Sequence, residues 1–347
     1  MKLSICIPVY NNKNIFKYSL KAAANSILGF EDKAEIIISD NCSEDDIESV
    51  ANEIRNTYPT VKILYSRNRI NKGPVYNFHR VVEIASGEYC WIIGSDDFIL
   101  KHAVAKILEI INKRSCISFI SLSFAHIDLP SVANNSEDPY KNIIDIIEEG
   151  SKLTFQKGPV TTGETKWDNL VDPSFNNVFF GAVMAGIFKK TKWESVDRDS
   201  MDKTHNFSNL QNVYPHIYIH ANSMIGERAY YFAEPLLVVG DGERPWAGND
   251  FWDGFLPIIY LKVFNEIIEA YQQAGLNSKQ LRNCKSYVAH VAGRYLFPYL
   301  KQKFIKHKKI KNDKYIDIPK LIKKNCLSPT FYSGIFKGII KETLMRG

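Results

Sequence analysis

The 347-residue chain predicts an α/β fold, a mostly parallel sheet flanked by helices, with a helical carboxyl-terminal extension. Three observations carry this. Residues 3–124 alternate short apolar runs with segments of helical spacing, which implies right-handed crossovers between parallel strands. Leu3 to Val9 and Tyr89 to Ile93 are apolar almost throughout, as suits strands buried on both faces. Beyond Leu256 the spacing is helical, over Phe255 to Ala274, Ser278 to about Phe304, Pro319 to Lys324 and Ile335 to Leu344.

Taken in order, Leu3 to Val9 is the first strand. Asn14 to Leu28 is a helix with Ile15, Leu20, Ala23 and Ile27 on one face, ended by Gly29. Glu35 to Ser39 is the second strand, and the acidic turn Asn41 to Asp46 suits the positive end of a helix running to about Asn56. Val61 to Tyr65, Pro74 to Ala85, Glu88 to Ile93, Ala103 to Asn112 and Cys116 to Phe124 continue as strand, helix, strand, helix and fifth strand. From Leu129 to about Phe175 the pattern dissolves into a polar stretch with one short helix near Ile143 to Glu148. It reads as an insertion or flexible excursion over the active face. The small residues of Val178 to Phe188 either admit a ligand or a neighbouring strand, or serve as bulges and turns. A helix near Gln211 to Ser223 and strands around Ala229 to Val239 complete this half. The expected division is residues 1–250 as one domain, with halves at 1–125 and 126–250, and 251–347 as a basic helical region.

Composition excludes several classes. No run approaches the roughly 18 to 20 apolar residues of a membrane span, and Pro8 breaks the amino-terminal run too early for a signal peptide, so a cytosolic protein is expected. The six cysteines are scattered without a Cys-x-x-Cys pair, and read as reduced thiols. The net charge of +6 comes from Lys301 to Asn325, which holds ten lysines and two aspartates. A basic tail on a near-neutral body argues against nucleic acid as partner. Its lysines and apolar residues suit either an anionic membrane surface or a solvated helix face.

The chemistry concentrates where a strand ends in Gly94-Ser95-Asp96-Asp97. In parallel sheets ligands bind beyond the carboxyl ends of the strands. Two adjacent carboxylates there suit a divalent cation shared with a diphosphate, or else a solvated helix-capping turn. Neither a Gly-x-Gly-x-x-Gly turn nor a Gly-Lys-Ser/Thr loop is present, so a diphosphate would need that cation. Asp40 alone reads as a turn and capping residue, and Lys72 as a surface lysine or a phosphate contact. In the turn-rich Gly240 to Asp250, Glu243, Arg244 and Trp246 form either a sugar-binding loop or a structural one.

Ile7-Pro8-Val9-Tyr10-Asn11, Ile38-Ser39-Asp40-Asn41-Cys42-Ser43, Asn71-Lys72-Gly73 with Asn77, and Gly87-Glu88-Tyr89 leading to Asp96-Asp97 together resemble the family 2 glycosyltransferases, towards the abequosyltransferase-like O-antigen branch. The resemblance fades after about Trp246. It implies a GT-A (Rossmann-like) fold with 1–125 as the nucleotide-sugar half and 126–250 as the acceptor half, a nucleoside-diphosphate sugar donor and a divalent metal, Mn2+ or Mg2+. It places Pro8, Val9, Tyr10, Asn12, Asp40, Lys72, Gly73 and Asp96 at the donor and Asp96 with Asp97 at the metal. It points to an inverting transfer onto a lipid-linked saccharide at the inner face of a bacterial inner membrane. The rivals are a sugar nucleotidyltransferase, for which Pro8 to Asn12 offers no Gly-rich loop, and a non-catalytic membrane-associated scaffold.

Two departures stand out. Gly94 occupies a position where many members carry a further carboxylate, and Tyr214-Pro215 stands where the acceptor half commonly holds a Glu-Asp pair, although Gly226 and Glu234-Pro235-Leu236 keep their spacing. Inverting transfer still needs a base for the acceptor hydroxyl. His216, the aspartates Asp197, Asp199 and Asp202, or another residue would have to supply it.

Overall fold

In the computed structural model the described residues are 1–134, 136–155, 158–175, 181–201, 204, 207–242, 255–310 and 313–344. The amino-terminal half runs β1 (Leu3–Val9), α1 (Lys13–Ile27), β2 (Ala34–Asp40), α2 (Ile47–Thr57), β3 (Ile63–Arg67), α3 (Gly73–Glu83), β4 (Tyr89–Ile92), β5 (Asp97–Ile99), α4 (Ala103–Lys113) and β6 (Phe119–Asp128). There follow α5 (Leu129–Val132), α6 (Ile143–Glu148), β7 (Thr154–Phe155), β8 (Gly163–Lys166), α7 (Trp167–Leu170), β9 (Gly186–Lys189), α8 (Lys190–Glu194), α9 (Leu210–Val213), α10 (Pro215–Ser223) and β10 (Arg228–Asp241). The remainder is α11 (Leu256–Ile258), α12 (Phe264–Gln273), α13 (Ser278–Leu300), α14 (Ile318–Asn325) and α15 (Pro329–Leu344).

The strands form one sheet in the order β3-β2-β1-β4-β9-β6-β10-β5, with β7 on β6 and β8 on β10. The expected parallel set holds for β3, β2, β1 and β4. Beyond it the sheet is mixed. Strand β9 enters antiparallel between β4 and β6, pairing Trp91 with Ile187 and Ser121 with Gly186, while β6 and β10 are parallel. Gly186 is required there because a Cβ would lie 2.7 Å from the Phe119 ring. Strand β5 is three residues long, too short to show a period, which is why the strand expected fifth is the sixth.

Core side chains explain the layering. Ile5, Ile7, Ile36, Ile38 and Trp91 are buried in the sheet, and α1 and α2 bury Phe16, Leu20, Val50 and Ile54 against it. At the sheet's amino edge the buried Glu35 accepts from Ser4 Oγ (2.7 Å) and Ser86 N (2.7 Å) and pairs with Lys62 (2.6 Å). Burial works to raise its pKa, but Lys62, Ser86 and Ser4 outweigh it and hold the carboxyl below its usual range.

The stretch from Leu129 to Phe175 is no flexible excursion. Tyr140, Ile143 and Ile147 are buried with Ile15, Phe98 and Ile127 in a second core, and the Tyr18 hydroxyl donates to Asp138. Its hydrophobics are spread too thinly to show in the sequence pattern, but they cover the outer face of α1. The carboxyl-terminal region is helical as expected, with α15 lying along α13 at glycine contacts: a Cβ on Gly293 would meet the Phe331 carbonyl, and on Gly334 the His290 carbonyl.

Candidate functional site

The carboxyl ends of β1, β2 and β3 and the turn after β4 share one edge of the sheet. The loops there are tied to one another. Asn11 and Asn12 adopt left-handed backbone (φ 59° and 71°), a conformation Asn tolerates better than most residues. Asn11 N donates to Ser43 Oγ (2.8 Å), and Glu44 N returns a bond to Asn11 Oδ1 (2.8 Å). Behind them, Asn77 Nδ2 donates to the Ser39 carbonyl (2.8 Å) and its Oδ1 accepts from Ser39 Oγ (2.6 Å). Asn41 Oδ1 accepts from Asn68 Nδ2 (3.1 Å) and Lys72 N (3.1 Å), and Asn41 Nδ2 donates to Asn71 Oδ1 (2.7 Å). Gly73 takes φ 80° and donates its N–H to Asn71 Oδ1 (2.8 Å), which opens α3. Asn41, Asn71 and Asn77 belong to the quoted motifs, whereas Asn68 shows its part only once the strands are adjacent.

Within this frame the expected donor residues take different parts. Pro8, Tyr10 and Asn12 are half-buried at the edge, while the Val9 side chain is buried in the core and contributes its carbonyl, which accepts from Asn41 N (2.9 Å). Asp40 is fully buried. Its Oδ1 accepts from Ser43 N (2.8 Å) and Ser43 Oγ (2.6 Å), and its Oδ2 from Tyr65 Oη (2.7 Å) and Arg67 Nη1 (3.2 Å). Four donors saturate a carboxylate, so a base or ribose reaching Asp40 would have to displace one of them. Asp40 braces the wall, and the side chain it holds at the surface is Arg67. Lys72 is exposed, with its ammonium 4.3 Å from the centre of the Tyr76 ring.

The acidic pair divides likewise. Asp96 is half-buried at the edge, whereas Asp97 is 2% exposed and turned inward, where Oδ2 accepts from Gly94 N (2.7 Å). Burial, and then the charges of Asp96 and Asp241, push the Asp97 carboxyl well above the usual range against the opposing bonds from Gly94 and Gly240. The two carboxylates converge over Gly94: a Cβ there would lie 2.6 Å from Asp96 Oδ1 and 2.9 Å from Asp97 Oδ2. Gly94 therefore follows from the packing, and a further carboxylate at this position would collide with the pair. Oxygen donors gathered over such a cradle suit a hard divalent cation, with Asp96 as the carboxylate that faces outward.

One pair was not singled out by the sequence. His126 on β6 and Asp241 at the end of β10 meet at 2.7 Å (Nδ1 to Oδ2). Strand register carries both to the acidic pair, because Val239 faces His126 on one side and Asp97 on the other. The residues are 115 positions apart, so no local spacing announces them.

The expected bases are placed less favourably. His216 is buried at the start of α10, near Phe78 and Tyr214, beside a small cavity lined by Phe119, Ala182, Gly186, His220 and Tyr271. Among the described residues neither ring nitrogen has a hydrogen-bond partner, and burial lowers its pKa to about 3. A side chain closed in this way does not reach an acceptor hydroxyl. Asp199 lies on an exposed turn where its N–H donates to Asp197 Oδ1 (3.0 Å), after α8 has left the sheet beside Tyr89, at the edge opposite Asp96. Asp202, Glu243, Arg244 and Trp246 lie outside the described residues.

Replacing Gly94→Ala is expected to weaken nucleoside-diphosphate binding about tenfold by pushing the carboxylates apart, the effect of about 1.4 kcal/mol of overpacking, as read by calorimetry. His216 and His220 are both held neutral at about 3 by burial, with His216 adding to the shift at His220. Their unfolded forms take up protons from the ordinary pKa of about 6.5 downward, so stability is full above that pH and falls as pH drops towards 3. His216→Phe is expected to flatten this acid limb in denaturant titrations from pH 7 to 4 and to leave transfer activity within about twofold; a large loss of turnover would restore His216 as base.

Residues 4–165 match Glycosyl transferase family 2. The chain is 30% identical over 246 residues to the abequosyltransferase RfbV of Salmonella typhimurium, covering 70% of this chain and 68% of that protein. It is 30% identical over 112 residues to the GalNAc(5)-diNAcBac-PP-undecaprenol beta-1,3-glucosyltransferase of Campylobacter jejuni, covering 32% of this chain and 35% of that enzyme. Among solved structures, TarS 1-349 of S. aureus in complex with UDP is similar in fold at a TM-score of 0.58 and 14% identity, over 98% of this chain and 88% of that one. On the family match and this likeness in sequence, the chain belongs to the family 2 glycosyltransferases.

Proposed function

We propose that the protein transfers a sugar, with inversion, from a nucleoside-diphosphate sugar to a lipid-linked saccharide during assembly of a bacterial surface polysaccharide of the O-antigen kind. The observation that carries the reading is the convergence of the β1 turn, the Asp40–Arg67 wall and Asp96 on one sheet edge. The O-antigen assignment rests on the likeness to the abequosyltransferase, and the lipid-linked acceptor on the undecaprenol-linked substrate named for the Campylobacter enzyme.

The diphosphate lies beside Asp96, where a divalent cation would be held by Asp96 with Asp97 behind it. When bound, that cation offsets the charge that builds on the leaving diphosphate. The acceptor oxygen attacks the anomeric carbon as the bond to the diphosphate breaks. Its proton goes to His126 Nε2, and Asp241 holds Nδ1–H, the arrangement that fixes the ring and stabilises the imidazolium. The pair thereby takes the place of the acidic residues that Tyr214-Pro215 has replaced. Gly181 also belongs to this half: its φ is 134°, and a Cβ would lie 2.9 Å from the Tyr214 ring, so the two residues pack at the acceptor side of the sheet.

Titration with several nucleoside diphosphates is expected to show binding that requires Mn2+ or Mg2+ and weakens about tenfold or more in Asp96→Asn. Equal affinity with and without metal, for every nucleotide tried, would remove the metal from the mechanism. His126→Asn is expected to lower kcat about a hundredfold while donor affinity stays within about twofold. An unchanged kcat would return the base to another residue.

A further inference from the structure

We propose that the outer face of α15, together with the π-helical turn Lys301–Ile305 that extends α13, is a docking surface for an anionic lipid bilayer. The proposal rests on the lipid-linked acceptor for its purpose, but on separate residues for its evidence. Helix α15 lies parallel to α13: Thr330 Oγ1 donates to the Ser286 carbonyl (3.0 Å), Gly334 and Gly338 press on the His290 and Arg294 carbonyls, and Lys301 pairs with Glu342. These contacts use the face of Phe331, Gly334, Ile335 and Gly338. Tyr332, Phe336, Ile339 and Ile340, at helical spacing, are left on the other side, where Phe336 is 65% exposed. The Lys301–Glu342 pair sets the following turn beside the carboxyl end of α15, with Phe304 63% and Ile305 67% exposed.

An apolar stripe of this kind is unusual on a surface that meets only water. Its rim is basic: Lys306, Lys309, Lys337 and Lys341 are exposed, and the acidic group of α15, Glu342, is occupied by Lys301. A second copy meeting the same patch across a two-fold axis would bring these lysines against each other, whereas an anionic leaflet attracts them. Among the described residues no helix is long and apolar enough to cross a membrane. The geometry is that of a helix lying in the interface plane with its apolar side chains in the headgroup region.

Flotation of the full chain with vesicles tests this. Binding to phosphatidylglycerol-containing vesicles at low salt is expected, with weaker binding at high salt and little to pure phosphatidylcholine. The double variants Phe336→Asp/Ile340→Asp and Lys337→Glu/Lys341→Glu should each lower the bound fraction about fivefold or more, with calorimetric nucleoside-diphosphate binding unchanged as the check that the fold persists. Absence of flotation by the parent protein at low salt, or variants that float equally well, would overturn the proposal. So would a dimer in sedimentation that Phe336→Asp/Ile340→Asp dissolves without any vesicle binding. Failure of nucleotide binding in the parent protein would count against the donor site and leave the flotation result standing.

Discussion

The buried carboxylate of Asp97 fastens the site together. It accepts the N–H of Gly94 on the turn from β4 (2.7 Å), while Asp97 itself pairs with Val239 of β10, so the turn after β4 is tied to the neighbouring strand. That bond opposes, without outweighing, the burial and the neighbouring Asp96 charge that push the Asp97 carboxyl above its usual range. Glycine is required on both sides of the turn: at Gly94 the carboxylates of Asp96 and Asp97 fill the space a side chain would need, and at Gly240 the Asp96 carbonyl does. Asp96 is left at the rim as a consequence. An acidic pair that looks symmetrical in sequence is one buried anchor and one half-buried carboxylate at the sheet edge.

The rest of the donor edge follows the same division between bracing and contact. Asparagines bridge the loops because their amides both donate and accept, and Asp40 spends its lone pairs on Ser43, Tyr65 and Arg67. Rigidity behind the surface leaves the exposed groups in defined places, as a site for a flexible diphosphate requires. In the second half of the sheet, rings of Tyr214, His216 and His220 pack edge to face, and the polar pair His126–Asp241 stands at the ends of β6 and β10.

Much of this was legible in the sequence. The first four strands and their helices show as alternating periods, and Asp96 lies beyond the strand end where the motif predicts it. Other features were not, for physical reasons. Strand β5 is too short to have a period, and β9 is an antiparallel insertion that only pairing with Trp91 and Phe119 reveals. The stretch from Leu129 to Phe175 looks polar because its buried residues are isolated, yet Tyr140, Ile143 and Ile147 close a core. His216 is next to the gap in the motif along the chain but points into the interior, whereas His126 is distant in sequence and adjacent in the sheet.

The central claim is that one sheet edge holds the donor diphosphate through a cation on Asp96. Anomalous scattering from crystals grown with Mn2+ and a nucleoside diphosphate tests it most directly. The account predicts a manganese peak within coordination distance of an Asp96 oxygen and next to the diphosphate, with Asp97 still bonded to Gly94. A nucleotide seated at this edge without metal, or a metal bound away from Asp96, would contradict it.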